Sequence, residues 1–202
     1  LLSEDLPKAP INPYGHSKAM VETVFETCVA AHGLKSVALR YFNACGADPK
    51  GRTGERHDPE THLIPLIIQA AQGTRDSIKI FGNDYPTPDG TCIRDYIHVA
   101  DLASGHVAAL SCLEATETPG SNAINLGTGK GLSVREVVEA VKTTSGVDFQ
   151  VIEAERRPGD PAALVANPSR AKTILGWEAT NSSVEQIVQD AWAYAKGHNR
   201  AS

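Results

Sequence analysis

The sequence has 202 residues and a mass of 21.5 kDa, which is enough for one large domain or two small ones. Hydrophobic residues make up 41% and charged residues 21%, a composition that excludes an intrinsically disordered chain. The net charge of -5 excludes a broad basic surface for nucleic acid, and no apolar run is long enough to span a membrane, so we expect a cytoplasmic protein that binds neither.

Four cysteines lie far apart in the sequence and form no Cys-x-x-Cys pair: Cys28, Cys45, Cys92 and Cys112. Scattered thiols of this kind are typical of a reducing compartment, where they stay unpaired. The chain also starts at Leu1 without a methionine. We therefore expect it to be part of a longer protein.

The first half of the chain alternates between predicted helices and strands. Apolar side chains recur at helical spacing before Gly33, which is a natural helix end. In order, the segments are predicted to be a helix (13–32), a buried strand (36–42), a long loop (43–61), a helix (63–72), a short strand (78–81) and a turn-rich loop (83–91). A loop as long as 43–61 in a compact domain is usually functional or mobile.

The second half continues the alternation. Ser133 and Glu136 have the spacing of a capping box, as do Ser182 and Glu185, so each pair predicts a helix start. In order, the segments are predicted to be an extended stretch (92–99), a helix (100–114), a strand (123–126), a tight loop (127–131), a helix reaching about residue 145, a strand (149–152), a sharp loop (158–161) and a final helix. This alternation predicts an α/β fold with largely parallel strands.

Tyr14 and Lys18 lie at the head of the first predicted helix. Residues four apart share one helix face, one turn from each other. A phenol is a weak base at neutral pH, but a nearby ammonium favours the phenolate, so the pair is suited to general base catalysis. The spacing also occurs by chance, and the alternative from the residues alone is an exposed lysine beside a half-buried tyrosine.

Longer blocks of sequence point to a family. Pro-Ile-Asn-Pro precedes Tyr-x-x-x-Lys, Leu-Arg-Tyr-Phe-Asn follows at 39–43, and Asn-Asp-Tyr-Pro-Thr and Arg-Asp-Tyr-Ile-His-Val lie further on. In order and spacing, these blocks, with others at 63–65 and 125–127, resemble the extended short-chain dehydrogenase/reductases, in particular the 4-epimerases of UDP-hexoses. The resemblance covers nearly the whole chain from Pro10 onward.

The resemblance implies the C-terminal part of a Rossmann-like, doubly wound parallel sheet with a smaller α/β substrate-binding domain. Residues 1–45 would end the NAD-binding domain, and 46–202 would mainly form the UDP-sugar domain, with some segments returning to the Rossmann sheet. The family's Gly-x-x-Gly-x-x-Gly loop, and the Ser or Thr that precedes its active-site Tyr, are absent from this sequence. We therefore expect an N-terminal half to be missing and the 202 residues alone to be inactive.

The resemblance also implies a reaction, which is NAD-dependent epimerisation at C4 of UDP-glucose and UDP-galactose through a 4-keto intermediate. Tyr14 would take the proton of the 4-hydroxyl, and Lys18 would hydrogen-bond the nicotinamide ribose. Tyr41 and Phe42 would border the nicotinamide, so that these four residues contribute to the NAD site. A homodimer is expected for the family.

The UDP-sugar site implied by the resemblance consists of Asn43, His62, Leu63, Lys79, Ile80, Phe81, Arg94, Arg157, Asp160 and Leu164. Independently of the family, a pyrophosphate favours the forked, permanently charged side chain of arginine, and Phe81 offers a flat surface for uracil. From spacing alone, Arg94 would instead form a surface ion pair with Asp95. Arg157 would do the same with Asp160.

Two positions depart from the family pattern. His62 stands where many members carry Asn, although its ring can also donate a hydrogen bond. Leu164 stands where a bulky Tyr excludes N-acetylated hexoses. Because leucine is shorter and has no hydroxyl, we expect some tolerance of UDP-N-acetylhexosamines.

Two other patterns do not predict ligand sites. Residues 127–131 read Gly-x-Gly-x-Gly, which lacks the glycine spacing of a dinucleotide fingerprint and the Gly-Lys-Ser/Thr of a P-loop, so a tight turn into a capped helix is predicted. His57, Glu60 and His62 lie in a loop without a fixed ligand geometry or a cysteine partner. No metal site is expected there.

Two alternatives stay open. One is a related nucleotide-sugar lyase of the 4,6-dehydratase type, although such enzymes typically need an acid/base pair in the region that this sequence lacks. The other is a fragment that binds nucleotide sugars weakly without catalysis or does not fold alone. A cooperative urea transition would support an autonomous domain, and a flat trace would support a fragment.

Overall fold

The computed structural model describes residues 1–198, in which helices and strands alternate along the chain. The helices are Pro13–His32 (α1), Leu63–Ala71 (α2), Val99–Ala115 (α3), Val134–Ser145 (α4) and Val184–His198 (α5), with a π-helical segment at Ala171–Leu175. The strands are Lys35–Tyr41 (β1), Asn43–Cys45 (β2), Ser77–Phe81 (β3), Ile93–Arg94 (β4), Tyr96–His98 (β5), Gly120–Leu126 (β6), Leu132–Ser133 (β7), Gln150–Ala154 (β8) and Ala163–Leu164 (β9). Within residues 1–198, no helix combines the length and apolar character needed to cross a membrane.

Most of the strand pairs are parallel. β1 pairs with β6, β2 with β5 and β3 with β8, each in parallel register. β4 pairs in parallel with β9 and in the antiparallel direction with β7. The predicted α/β fold with largely parallel strands is therefore confirmed.

The structure adds strands where the sequence pattern is weak. β6 begins at Gly120, earlier than predicted, because its first residue pairs with Lys35 of β1. β2 lies inside the segment predicted to be a loop, and β7 and β9 contain two residues each. Strands this short are defined by their partners and carry too few residues for an alternating pattern.

Helix α1 begins at a capped turn. Asn12 Oδ1 accepts a hydrogen bond from the Gly15 N–H (2.8 Å), and Pro13 occupies the first helical position. The helix ends at Gly33, whose φ of 65° is a left-handed conformation that glycine adopts without steric cost. In the described part of the chain no residue of α1 is fully buried. Within the apolar stripe that predicts this helix, Val21 and Val24 are 47% and 56% exposed, whereas the other three residues are partly buried.

Helix α4 begins at the predicted capping box. Ser133 Oγ accepts from the Glu136 N–H (3.0 Å), and Glu136 Oε2 accepts from the Ser133 N–H (2.6 Å). Gly146 ends the helix in the left-handed conformation. This prediction is confirmed.

The second predicted capping box is wrong. The Gln186 N–H donates to Ser183 Oγ (3.2 Å), so the cap is one residue later than the spacing of Ser182 and Glu185 predicts. Ser182 instead donates to the buried carboxylate of Asp101 (2.6 Å). The Ser182 oxygen itself accepts from the His98 N–H (2.8 Å), so it is engaged away from the helix end.

Two clusters of buried apolar side chains form the core. The larger joins α2, β3, α4 and α5 and includes Ile67 and Ile187. The smaller lies around β5, β6 and α3 and includes Leu126 and Trp177. All four cysteines are free thiols.

A buried carboxylate joins three segments of the chain. Asp95 lies between β4 and β5 and is fully buried. It accepts hydrogen bonds from the N–H groups of Thr128 (3.0 Å), Gly129 (3.1 Å) and Ala166 (3.1 Å), and from the Thr128 hydroxyl (2.7 Å). Because a buried carboxylate is costly without donors, these bonds fix the loop after β6 and the residues after β9 against this position.

We expect Asp95→Asn to lower the free energy of unfolding by roughly 3 kcal/mol, because it removes the charge and turns an amide group toward backbone donors. Urea unfolding followed by circular dichroism measures the change. The control is Asp148→Asn, which removes an exposed partner of Lys142 and should leave the unfolding midpoint nearly unchanged. Equal losses in the two variants would contradict the role given to Asp95.

Candidate functional site

A cavity of about 810 Å³ is lined by residues drawn from most of the chain. The predicted site residues that line it are Tyr14, Tyr41, Phe42, Asn43, His62, Leu63, Lys79, Phe81, Arg94, Arg157 and Asp160. Its volume lies within the range of pockets that hold cofactors and other small molecules. The structure therefore brings most of the predicted residues to one place.

Three predicted site residues lie outside this lining. Lys18 is exposed on α1. Ile80 is 1% exposed and belongs to the larger core cluster, so the structure leaves it almost no surface for a ligand. Leu164 is half-buried on β9, where it pairs with Arg94 of β4.

Tyr14 stands in the first turn of α1 and is 70% exposed. The Lys18 Nζ atom lies 5.1 Å from the centre of the Tyr14 ring, which is a cation–π geometry. The shared helix face predicted from the spacing is thus observed. The alternative predicted a half-buried tyrosine. It is wrong in this respect, because most of the Tyr14 surface is exposed.

The consecutive residues Tyr41, Phe42 and Asn43 run from the end of β1 into β2. Tyr41 is 55% exposed, and its ring centre lies 6.2 Å from that of His106. The Asn43 N–H and Nδ2 both donate to the Asp95 carbonyl, each at 3.0 Å. Asn43 Oδ1 is therefore the end of the amide that a ligand can use.

The wall of the cavity carries more cationic than anionic groups. Its cationic side chains are Arg75, Lys79, Arg94 and Arg157. Its carboxylates are Glu55 and Asp160. This charge balance favours an anionic ligand such as a diphosphate.

Arg94 is held by main-chain carbonyls. Its Nη1 donates to the carbonyls of Ile93 and Pro161, both at 2.9 Å, and its Nη2 lies 3.7 Å from the Asp160 carboxylate. Asp95 is occupied in its buried network, so the alternative of a surface ion pair between Arg94 and Asp95 is wrong. A guanidinium fixed in this way needs little ordering when it binds an anion.

Arg157 and its neighbour Arg156 each stack on an aromatic ring. Arg157 Cζ lies 3.9 Å from the centre of Phe81, and Arg156 Cζ lies 4.1 Å from the centre of Tyr85. Because Arg157 covers Phe81 and the Asp160 carboxylate faces Arg94, the alternative of an ion pair between Arg157 and Asp160 is also wrong.

The loop before α2 gathers two histidines and two glutamates. His62 Nδ1 contacts Glu55 Oε1 and lies 3.4 Å from Glu60 Oε1. His57 Nδ1 lies 3.7 Å from the same Glu60 oxygen. The ligand atoms of the two histidines and Glu60 lie within 4.8 Å of one another, so the lack of ligand geometry is no longer a reason against a metal.

The glycine-rich loop 127–131 has its amide groups engaged by the protein itself. The N–H groups of Thr128 and Gly129 donate to Asp95, and α4 starts directly after β7. A phosphate would have to displace a buried carboxylate to use these donors. The prediction of a tight turn into a capped helix is confirmed.

An ion pair holds α1 against β1. Arg40 donates from Nε and Nη2 to the two carboxylate oxygens of Glu22, each at 2.6 Å, and Lys8 Nζ lies 2.7 Å from the same carboxylate. The hydrogen bonds from Arg40 lower the pKa of Glu22 to about 2, although burial opposes them. The helix that carries Tyr14 is thereby tied to the strand that leads to Tyr41.

Sequence reasoning missed Glu55 and Arg75 in the cavity wall and Asp95 beneath it. Glu55 and Arg75 lie in polar connecting segments, where charged residues are ordinary and their spacing carries no signal. The sequence around Asp95, in contrast, does indicate that this residue has a structural role. A carboxylate inside a stretch predicted to be extended and partly apolar has to reach either solvent or buried donors.

A family model described as GDP-mannose 4,6 dehydratase matches residues 1–191. A curated relative named UDP-glucose 4-epimerase from Halalkalibacterium halodurans is 50% identical over 98% of this chain and 58% of its own length. The chain thus spans little more than half the length of such relatives.

Two solved structures are also similar. UDP-glucose 4-epimerase from Brucella ovis in complex with NAD is 48% identical and has a TM-score of 0.90, over 95% of this chain and 58% of that one. The UDP-Glc/GlcNAc 4-epimerase from the human pathogen Campylobacter jejuni is 45% identical and has a TM-score of 0.80, over 98% of this chain and 59% of that one. The predicted Rossmann-like fold and the resemblance to 4-epimerases are confirmed.

We expect Glu22→Gln to lower the free energy of unfolding by about 2 kcal/mol at pH 7, since it removes the charge that Arg40 binds. A carboxyl whose pKa is lower in the folded state stabilises the fold above its unfolded pKa of about 4.3. That contribution is lost as the pH falls toward 2. The difference from wild type should therefore shrink below about pH 4.5, which urea unfolding at several pH values measures.

The control for this prediction is Glu26→Gln on the same helix. The Glu26 carboxylate is exposed and lies 3.6 Å from Lys8, so its loss should change little. A loss in Glu22→Gln that stays constant from pH 7 to pH 3 would contradict the assignment.

Proposed function

The chain belongs to the family described as GDP-mannose 4,6 dehydratase. We propose that the protein of which it is part inverts the configuration at C4 of UDP-hexoses, with NAD as cofactor. The observation that carries the proposal is the cavity that joins Tyr14 to an aromatic ring and a set of arginines. Relatives named UDP-glucose 4-epimerase at 50% identity, and a similar structure solved with NAD, support it.

The residues present fit the nicotinamide end of NAD. Tyr41 and Phe42 line the cavity together with Tyr14, and Lys18 lies one helical turn from Tyr14. When bound, NAD supplies the group that accepts hydride from C4 of the hexose and returns it. The protein's own contribution is a positioned proton acceptor, the Tyr14 phenol oxygen, with the Lys18 ammonium binding the nicotinamide ribose.

The UDP-hexose is held by the cationic part of the wall. Arg94 and Arg157 are the donors to the diphosphate, with Lys79 adding charge. Phe81 stacks on the uracil, and Asp160 accepts from a ribose hydroxyl. The donors are already oriented by the protein, which lowers the cost of ordering them on binding.

Further residues contact the sugar half. Asn43 offers its Oδ1 to a hexose hydroxyl, and His62 and Leu63 face the same cavity from the start of α2. We propose that residues 1–45 end the NAD-binding domain and that residues 46–202 mainly form the UDP-sugar domain, and the pairing of β6 with β1 supports a return of later segments to the first sheet.

We further propose that the 202 residues alone do not turn over substrate, because the sequence contains no Gly-x-x-Gly-x-x-Gly loop for the NAD pyrophosphate. The active protein is proposed to be a cytoplasmic homodimer, as the family resemblance implies.

The test follows UDP-galactose by proton NMR with the full product of the gene and no added NAD. A mixture of UDP-glucose and UDP-galactose supports the epimerase and a retained cofactor. A deoxy-keto product would favour the second candidate, a 4,6-dehydratase, which the family description favours. No conversion even with NAD supplied would contradict both, and the 202-residue chain run in parallel should convert nothing.

We expect Tyr14→Phe to reduce turnover by about a hundredfold or more, because it removes the proton acceptor. The same NMR assay measures the rate. Urea unfolding of the variant and of the wild type in parallel separates lost chemistry from lost folding. Activity close to wild type would refute the role of Tyr14.

We also expect the enzyme to accept UDP-N-acetylgalactosamine, as the family resemblance implies for a leucine at position 164 in place of a bulky tyrosine, although Leu164 itself lies outside the cavity lining. The similarity to a UDP-Glc/GlcNAc 4-epimerase supports this expectation. Leu164→Tyr should abolish conversion of the N-acetylated sugar and keep that of UDP-galactose. No turnover of UDP-N-acetylgalactosamine by an enzyme active on UDP-galactose would contradict it.

A further inference from the structure

Glu55 lines the cavity beside His62 and directs its carboxylate to one nitrogen of that ring. Glu55 Oε1 contacts His62 Nδ1, and both residues belong to the cavity wall. His62 is 60% exposed at the side chain and caps the start of α2 without a side-chain hydrogen bond to the helix. The ring orientation is therefore set by Glu55 and its surroundings rather than by the helix end.

Glu60 adds a second carboxylate at the same nitrogen. Glu60 Oε1 accepts from the N–H groups of Thr61 (2.7 Å) and His62 (2.8 Å), and its side chain is only 8% exposed. This fixed oxygen lies 3.4 Å from His62 Nδ1. A ring nitrogen that faces two carboxylates is stabilised when it carries a proton and repelled when it presents a lone pair.

We propose that Glu55 is a positioning residue, which holds the proton on His62 Nδ1 and thereby directs Nε2 at the nucleotide sugar. The inference rests on the proposed function for the identity of that ligand. It assigns Glu55 no contact with the reacting atoms. An acceptor that fixes one ring nitrogen and so sets the use of the other is the common role of a carboxylate beside a functional histidine.

The first experiment reads the proton directly. Long-range ¹H–¹⁵N NMR of the ¹⁵N-labelled full product of the gene distinguishes the two ring nitrogens, and His62→Asn identifies the His62 signals by their disappearance. We expect Nδ1 of His62 to be protonated in the wild type and to lose this preference in Glu55→Gln. A bare Nδ1 in the wild type, or an unchanged pattern in Glu55→Gln, would overturn the proposal.

The second experiment reads the consequence for the substrate in the full product of the gene. Glu55→Gln should raise the KM for UDP-galactose by about threefold to tenfold with kcat nearly unchanged, as expected for one misdirected hydrogen bond. In the His62→Asn background, Glu55→Gln should have no further effect, because an amide has no tautomer to fix. An equal effect in both backgrounds would overturn the role of Glu55.

Two controls distinguish a specific effect of Glu55 from a general loss of charge and from metal binding. Glu178→Gln, which removes an exposed partner of Lys172, should leave both the NMR pattern and the KM unchanged. Added Zn²⁺ tests whether the histidine and glutamate cluster is instead a metal site, since tight binding that shifts the signals of His57 and His62 would overturn the proposal. Absence of epimerase activity would refute the proposed function, whereas the NMR result would still decide the role of Glu55.

Discussion

Asp95 lies where several segments of the chain meet, and its side chain and its backbone both form hydrogen bonds to them. Its carboxylate accepts from the loop after β6 and from Ala166 after β9, while its own carbonyl accepts twice from Asn43. Its N–H donates to the Leu164 carbonyl (3.1 Å). Because the Asp95 carboxylate is buried, a shifted register would leave it without these donors. These bonds fix the backbone next to Arg94, which precedes Asp95 and lines the cavity.

The same stretch of sequence continues to hold the fold together beyond β5. The His98 N–H donates to Ser182 Oγ (2.8 Å), and Ser182 in turn donates to the Asp101 carboxylate (2.6 Å). Asp101 also accepts from the Asn181 N–H (2.8 Å), and its helix packs on the smaller core cluster. Arg94 lines the cavity, whereas Asp95 and His98 are buried and contact only other parts of the protein. A block that carries a family resemblance therefore serves as much to assemble the site as to touch a ligand.

The elements with clear periodicity could be predicted from the sequence, and those defined by a partner could not. Helix α2 and strand β3 could be predicted from the local pattern of apolar residues. The two-residue strand β9 could not, because it is defined by its pairing with β4. At the site, the residue types that bind diphosphate and move protons could be named. The contacts of those residues could not be predicted, because Arg157 contacts Phe81 and Asp95 contacts Thr128, which are far apart in the sequence. The second capping box failed for the same reason, because the oxygen of Ser182 accepts from the N–H of His98, which is distant in sequence.

The two ends of the proposed chemistry are built differently. The groups assigned to the nucleotide are already held, with Arg94 on two carbonyls and Arg157 on the ring of Phe81. Tyr14 and Lys18 are exposed on a helix that an ion pair ties to β1. In the proposed function, binding energy from the fixed, cationic wall can therefore be used to order the exposed end, to which the proton transfer is assigned. Arg157 covers one face of Phe81. The uracil of the proposed substrate would therefore either stack on the opposite face or displace the guanidinium toward the diphosphate, and both routes would couple recognition of the base to that of the charge.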